Sequence, residues 1–106
     1  DWNRVVEFYR SFLNDPRYAV SGSGMLDLVA RLRVHPAFEI LYVGTAHGAL
    51  FFKLPDWKRS VHVMCDESGD YEICLDHGEL SFYDTEITVN RDAVIDTLLA
   101  YLERAK

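Results

Sequence analysis

Four histidines, two cysteines and seventeen acidic side chains are the groups in this 106-residue chain that could carry acid–base, nucleophilic or metal chemistry. Alternation along two expected strands places His62 directly opposite Cys74, with Glu72 and Asp76 two residues to either side. A thiol, an imidazole and a carboxylate on one sheet face have the residue types of a nucleophile, a base and an orienting group. A catalytic thiol, however, needs an electropositive setting that lowers its pKa, and the neighbours here are acidic. No glycine-rich loop or helix N-terminus is directed at Cys74, so the pair reads better as a small thiol beside a sheet histidine. His47, His62, Cys74 and His77 do not make a zinc pattern, because no Cys-x-x-Cys or His-x-x-x-His spacing occurs. The run Asp66-Glu67-Ser68-Gly69-Asp70 lacks the alternating oxygen ligands of a calcium loop. Ser21-Gly22-Ser23-Gly24 is neither preceded by a strand nor followed by Gly-Lys-Ser/Thr, which excludes a phosphate loop. No catalytic residue, metal or cofactor is therefore expected.

The acidic residues carry more information. Between Arg59 and Arg91 there is no Lys or Arg, yet eight acids occur: Asp66, Glu67, Asp70, Glu72, Asp76, Glu79, Asp84 and Glu86. Such a run attracts a cationic partner and raises its rate of encounter, although solubility and protection of a sheet edge explain any single member equally well. Trp57, in the polar turn Pro55-Asp56-Trp57-Lys58, is either an anchor in an interface or a cap on the open end of the core. The formal net charge of −6 argues against non-specific binding to nucleic acid or anionic membranes. No apolar run approaches the ~20 residues of a membrane-spanning helix. Opening on Asp1, the chain reads as trimmed or processed, and two cysteines expected to stay reduced suggest the cytoplasm.

The elements that must position these residues form a single α+β domain over residues 1–106, with two N-terminal helices, a five-stranded antiparallel meander and one C-terminal helix. Trp2, Val5, Val6, Tyr9, Phe12 and Leu13 make the first helical stripe, which Asn14-Asp15-Pro16 stops. Ser21–Gly24 reads as a turn with Ser23 as N-cap to a second helix bearing Met25, Leu28, Val29 and Leu32, closed by His35-Pro36. Strands are expected at Phe38–Val43, His47–Leu54, Ser60–Asp66, Asp70–Asp76 and Leu80–Val89, with a two-residue turn at Gly44-Thr45 and another at His77-Gly78. Asn90 caps the last helix, with Asp92 in its first turn and Ile95, Leu98, Leu99 and Leu102 on its apolar face.

Residues opposite one another on paired strands share a face. The third and fourth strands bring their apolar sets together only if Cys65 pairs with Tyr71, Val63 with Ile73 and Val61 with Leu75. That register leaves the three-residue loop Glu67-Ser68-Gly69, with glycine where left-handed backbone is needed. By extension Leu75 pairs with Leu80, Ile73 with Phe82, Val61 with Phe52 and Val63 with Leu50, with a bulge near Asp84-Thr85-Glu86. The face Leu50, Phe52, Val61, Val63, Cys65, Ile73, Leu75, Leu80 and Phe82 is assigned to the helices. The other face carries His47, Ala49, Phe51, Ser60, His62, Met64, Glu72, Cys74, Ser81 and Tyr83, joined by Phe38, Ile40 and Tyr42 if Gly44-Thr45 is the turn. It is too apolar for a solvated face. Either one helix covers it in a three-layer fold, or it associates with another molecule, a second copy included.

Two N-terminal helices, a meander and a closing helix on a short acidic chain resemble the immunity proteins of bacterial toxin systems. The resemblance lies in element order and charge, and it implies a non-enzymatic domain that neutralises a basic toxin. Both routes lead to one expectation: a protein-binding module for a basic protein partner. Its contact residues are Asp66, Glu67, Asp70, Glu72, Asp76 and Glu79 for steering, and Trp57, Phe51 and Tyr83 for affinity. A small enzyme or ligand module built on His62 and Cys74, and a homodimer through the sheet face, are the alternatives.

Overall fold

A computed structural model describes residues 1–76 and 83–106 of the chain, residues 83–85 by their backbone alone. The elements run α1 (Trp2–Phe12), α2 (Ala19–Leu32), a 3-10 turn (Pro36–Phe38), β1 (Tyr42–Ala46), β2 (Ala49–Lys53), β3 (Ser60–Cys65), β4 (Tyr71–Asp76), β5 (Tyr83–Val89) and α3 (Val94–Ala105). The strands form one antiparallel sheet in the order β1-β2-β3-β4-β5, so the fold is the expected α+β meander flanked by two helices and one.

The central register follows the apolar pattern. Cys65 pairs with Tyr71, Val63 with Ile73 and Val61 with Leu75, and across β2 Leu50 pairs with Val63 and Phe52 with Val61. Gly69 takes φ +90° in the loop, and Asp66 N–H donates to the Asp70 carbonyl at 2.8 Å, closing the hairpin. Leu50, Phe52, Val61, Val63, Cys65, Ile73 and Leu75 are all buried, and the helices bury Val5, Tyr9, Met25, Leu28, Val29, Leu32, Leu98 and Leu102 in the same core. The helices thus cover one side of the sheet in two layers, and no described helix lies on the other side as a three-layer fold would need.

The first strand differs from expectation. Phe38 lies in the 3-10 turn, not in a strand, with Pro36 at its first position and His35 Nδ1 accepting from Ala37 N–H at 3.2 Å. This turn swings the Phe38 ring into the core against Phe52 (centroids 5.1 Å apart), so burial overrides the local alternation. Ile40 is left exposed outside the sheet, and of the three conditional residues only Tyr42 joins the helix-free face. The hairpin turn is His47-Gly48, not Gly44-Thr45; both residues have positive φ (53° and 86°), as a two-residue turn matching strand twist requires. Accordingly β2 starts at Ala49, not at His47.

The Ser21–Gly24 segment is not a turn, because it lies inside α2. Glycine here serves close packing: a Cβ on Gly22 would stand 2.6 Å from Phe12 Cβ, and one on Gly24 would overlap the Cys65 sulfur. Ser21 Oγ donates to the Cys65 carbonyl at 2.6 Å, which satisfies a hydroxyl pressed against the sheet edge of the core. Asp27 on the outer side of α2 takes a two-pronged contact from Arg91 (2.9 and 3.1 Å), tying this helix to the approach of α3. That approach is a turn, so α3 begins at Val94, Asp92 precedes it and Ala93 stands at the N-cap without a side-chain bond; Asn90 is not the helix cap but closes the turn, its Oδ1 accepting from Ala93 N–H at 3.0 Å.

Register between β4 and β5 also departs from expectation. Asp76 pairs with Tyr83, Leu75 with Asp84 and Ile73 with Ile87, so the partners of Leu75 and Ile73 lie four and five residues further along the chain than expected. Between those pairs β5 carries one residue more than β4, which is the bulge expected around Asp84–Glu86. The assignments made for His77, Gly78, Glu79, Leu80, Ser81 and Phe82 fall outside the described residues.

Candidate functional site

On the helix-free face, strand pairing aligns Gly44, Phe51, His62 and Cys74 in one row across four strands. Phe51 lies flat over Gly44, where a Cβ would stand 2.8 Å from its ring, and stacks on His62 with centroids 5.7 Å apart and planes at 26°. Its partners fix it as a strut between β1 and β3, and only its outer surface is left for contact.

His62 is 6% exposed and the only buried polar residue among those described. Its Nε2 lies 2.9 Å from Ser60 Oγ and 3.5 Å from an Asp76 oxygen. Burial lowers its pKa below the ordinary 6.5, while Asp76 pulls the other way. The ring is therefore an ordered, largely neutral wall of the face near pH 7.

The next row pairs Ala46 with Ala49, and Met64 with Glu72. Two alanines beside the bulkier Phe51 and Met64 leave a concavity of about 230 Å³, lined also by His47, Cys74 and Glu86. Burial raises the Glu72 pKa, with Glu86 and then Asp66 adding to it. Glu72 and Glu86 both line the concavity.

Burial likewise pushes the Cys74 thiol up to about 11, with Glu86, Asp76 and Glu72 contributing in that order. The His62–Cys74 pair exists as expected, but its sulfur is held as the thiol. At pH 7.5 Cys74 is expected to react with a disulfide reagent roughly a hundredfold more slowly than an unperturbed cysteine, following its thiolate fraction. Stopped-flow comparison with a Cys65→Ala variant checks this, and a rate equal to that of free cysteine would contradict it. Cys65 lies on the core face with its own pKa raised to about 11, so the two thiols sit on opposite sides of the sheet and both are free.

The residues expected to make contact separate into distinct places. Asp66, Glu67 and Asp70 lie at the β3–β4 hairpin end, where Asp66 is already engaged: its Oδ1 accepts from Ser68 N–H, Ser68 Oγ and Asp70 N–H. Glu72 and Asp76 both belong to the helix-free face, four residues apart on β4, about 13 Å at strand rise. Trp57 is not with them. In the β2–β3 loop at the opposite end, it is half-buried against the core and lines a groove with Leu99 and Leu102 of α3. Tyr83 pairs with Asp76 by its backbone, and Glu79 lies outside the described residues.

Acids occur at both ends of the face, Asp76 at one and Glu72 toward the other. Among the described strand residues Lys53 is the only Lys or Arg, and it sits beside Tyr42 at the end remote from the acidic hairpin. Sequence reasoning did not bring Glu86 toward Glu72, because it expected a β4–β5 register several residues away from the one that pairs Glu72 with Thr88 and Ile73 with Ile87. Nor could it find the Ala46–Ala49 gap, which depends on the turn at His47-Gly48 that lies between them. No group of His, Cys, Asp and Glu among the described residues could hold a metal ion, and no described helix is long and apolar enough to cross a membrane. Comparison of the chain with protein-family models, with curated proteins and with solved structures returns no match.

Proposed function

We propose that the protein is a non-catalytic binding module whose helix-free sheet face and acidic hairpin end receive a basic protein partner, in the manner of an immunity-type inhibitor. The observation that supports this most directly is the combination on one surface of half-buried Phe51 and Met64, a concavity and carboxylates from β4 and β5, with the acidic hairpin at the same end. An antiparallel sheet face turned to water is ordinarily polar, and exposed apolar surface rimmed by charge is characteristic of contact surfaces. Asp66, Glu67, Asp70 and Glu72 supply the field that steers a cation, while Phe51 and Met64 supply area that loses water on contact. Two free thiols, one on each side of the sheet, favour a reducing compartment such as the cytoplasm.

The test is capture of partners on immobilised wild-type chain and on the E67Q/D70N/E72Q variant, followed by association kinetics with whatever distinguishes them. The on-rate is expected to fall about tenfold or more between 50 and 500 mM NaCl, since exposed charges separated beyond the Debye length are screened. The triple variant should associate slowly at every salt concentration. An on-rate indifferent to salt, or a triple variant that matches the wild type, would sink the reading. If light scattering shows two chains per particle and this face closed between them, the surface serves self-association instead.

A further inference from the structure

The concavity on the helix-free face is small. At about 230 Å³ it falls below the roughly 300–1,000 Å³ of typical small-molecule sites, and suits one long side chain better than a cofactor. Its floor is apolar, from Ala46, Ala49 and Met64, and its rim carries the carboxylates of Glu72 and Glu86 from neighbouring strands. An alkyl stem ending in a cation matches both features, because the methylenes bury against the floor while the head stays at the charged rim. Between the two biological cations, guanidinium has the fork geometry to contact two carboxylates at once, whereas ammonium acts as a point charge.

We infer that this concavity is the anchoring subsite for one arginine side chain of the basic partner, its stem lying on Ala46, Ala49 and Met64 and its guanidinium between Glu72 and Glu86. This inference rests on the protein-binding reading above and names the residue that delivers specificity after steering has brought the partner in. His47 and His62 also line the subsite. Burial holds the His62 imidazole below its ordinary value, so at slightly alkaline pH that ring is neutral and does not repel the incoming charge. The hairpin acids lie at the same end of the sheet, so the steering field leads toward the subsite.

The two methionines provide the measurement. Met64 lines the subsite, whereas Met25 is fully buried in the core, so the Met25 methyl resonance reports only on the fold. At pH 7.5, titration of methyl-labelled protein with N-acetyl-arginine methylamide should move the Met64 signal saturably and leave Met25 in place. The neutral isostere N-acetyl-citrulline methylamide should bind about tenfold or more weakly, and the capped lysine should fall between them. In the E72Q/E86Q variant the arginine probe should lose a similar factor while Met25 keeps its position, which shows that the fold is intact. Equal responses to arginine and citrulline, indifference to the double substitution, or no saturable shift at Met64 would each overturn the subsite. Tighter binding of lysine would overturn its assignment to guanidinium. The readout needs no partner. A silent Met64 alongside salt-steered partner association removes only the anchor, whereas a responsive Met64 with salt-indifferent association removes the wider reading.

Discussion

Replacing Phe52 by alanine is expected to cost about 3–5 kcal/mol of folding stability, the range for deleting a fully buried aromatic side chain. Phe52 is 0% exposed, meets Phe38 edge-on at 5.1 Å and lies 6.3 Å from Trp2, so its ring joins β2 to α1 and to the 3-10 turn at once. A domain of this size has roughly 5–15 kcal/mol in total, so the variant should be near the margin of folding. The denaturation midpoint should fall with its slope unchanged, and Tm should drop by roughly 12 °C or more. Phe51→Ala is the matched control. The same ring is deleted one residue away, but from the half-buried face, where the loss should be about 1 kcal/mol. A Phe52 variant no worse than the Phe51 variant would mean that the two faces have been assigned the wrong way round.

A second large effect is expected where the sequence looks most permissive. Gly22→Ala should destabilise by about 1–3 kcal/mol even though alanine is the better helix former by about 1 kcal/mol. The added methyl would stand 2.6 Å from Phe12 Cβ and 3.0 Å from the Tyr9 carbonyl oxygen, atoms of α1 that cannot rotate aside. Gly24→Ala meets a different obstacle, the sulfur of Cys65, and there a partner substitution can remove it. In a double-mutant cycle Gly24→Ala with Cys65→Ala should be less damaging than the sum of the single changes by about 1 kcal/mol. Urea titrations of the variants decide the matter: a stabilised Gly22→Ala would show that α1 and α2 are not packed this closely, and strict additivity would separate Gly24 from Cys65.

These glycines show where local reading of the chain stops. Ser21-Gly22-Ser23-Gly24 has the chemistry of a turn, and nothing within the segment announces that Phe12 and Cys65 will press against it; the reason lies in tertiary approach. Phe38 was misplaced for a related cause, since its apolar character fits a strand as well as a plug for the core, and Pro36 tips the balance toward the turn. The β3–β4 hairpin, by contrast, was legible because two independent constraints coincide. The alternation of Val61, Val63 and Cys65 against Tyr71, Ile73 and Leu75 demands one register, and Gly69 fits the loop that this register leaves. At β4–β5 the bulge near Asp84–Glu86 was legible, but the expected tight turn at His77-Gly78 set a register four to five residues away from the observed pairs Leu75–Asp84 and Ile73–Ile87. The same limit governs the site. His62 opposite Cys74, with Glu72 nearby, could be read from the hairpin; the gap between Ala46 and Ala49 could not, because it follows from a turn at His47-Gly48. Trp57, for which two roles stood open, is half-buried against the core and lines a groove, a placement that both roles allow.

The strand order carries a kinetic consequence. Each strand pairs only with its neighbours in sequence, so the sheet can grow by successive pairing of strands close along the chain, each step at a small entropic cost. Zipping of β3 onto β4 is the natural nucleus, and the slow event is then collapse of the N-terminal helical pair onto β3, whose contact with α2 spans some forty residues of chain, as in the bond from Ser21 to Cys65. Substitutions at that seam should retard refolding, whereas those in the outer strand β1 should chiefly hasten unfolding.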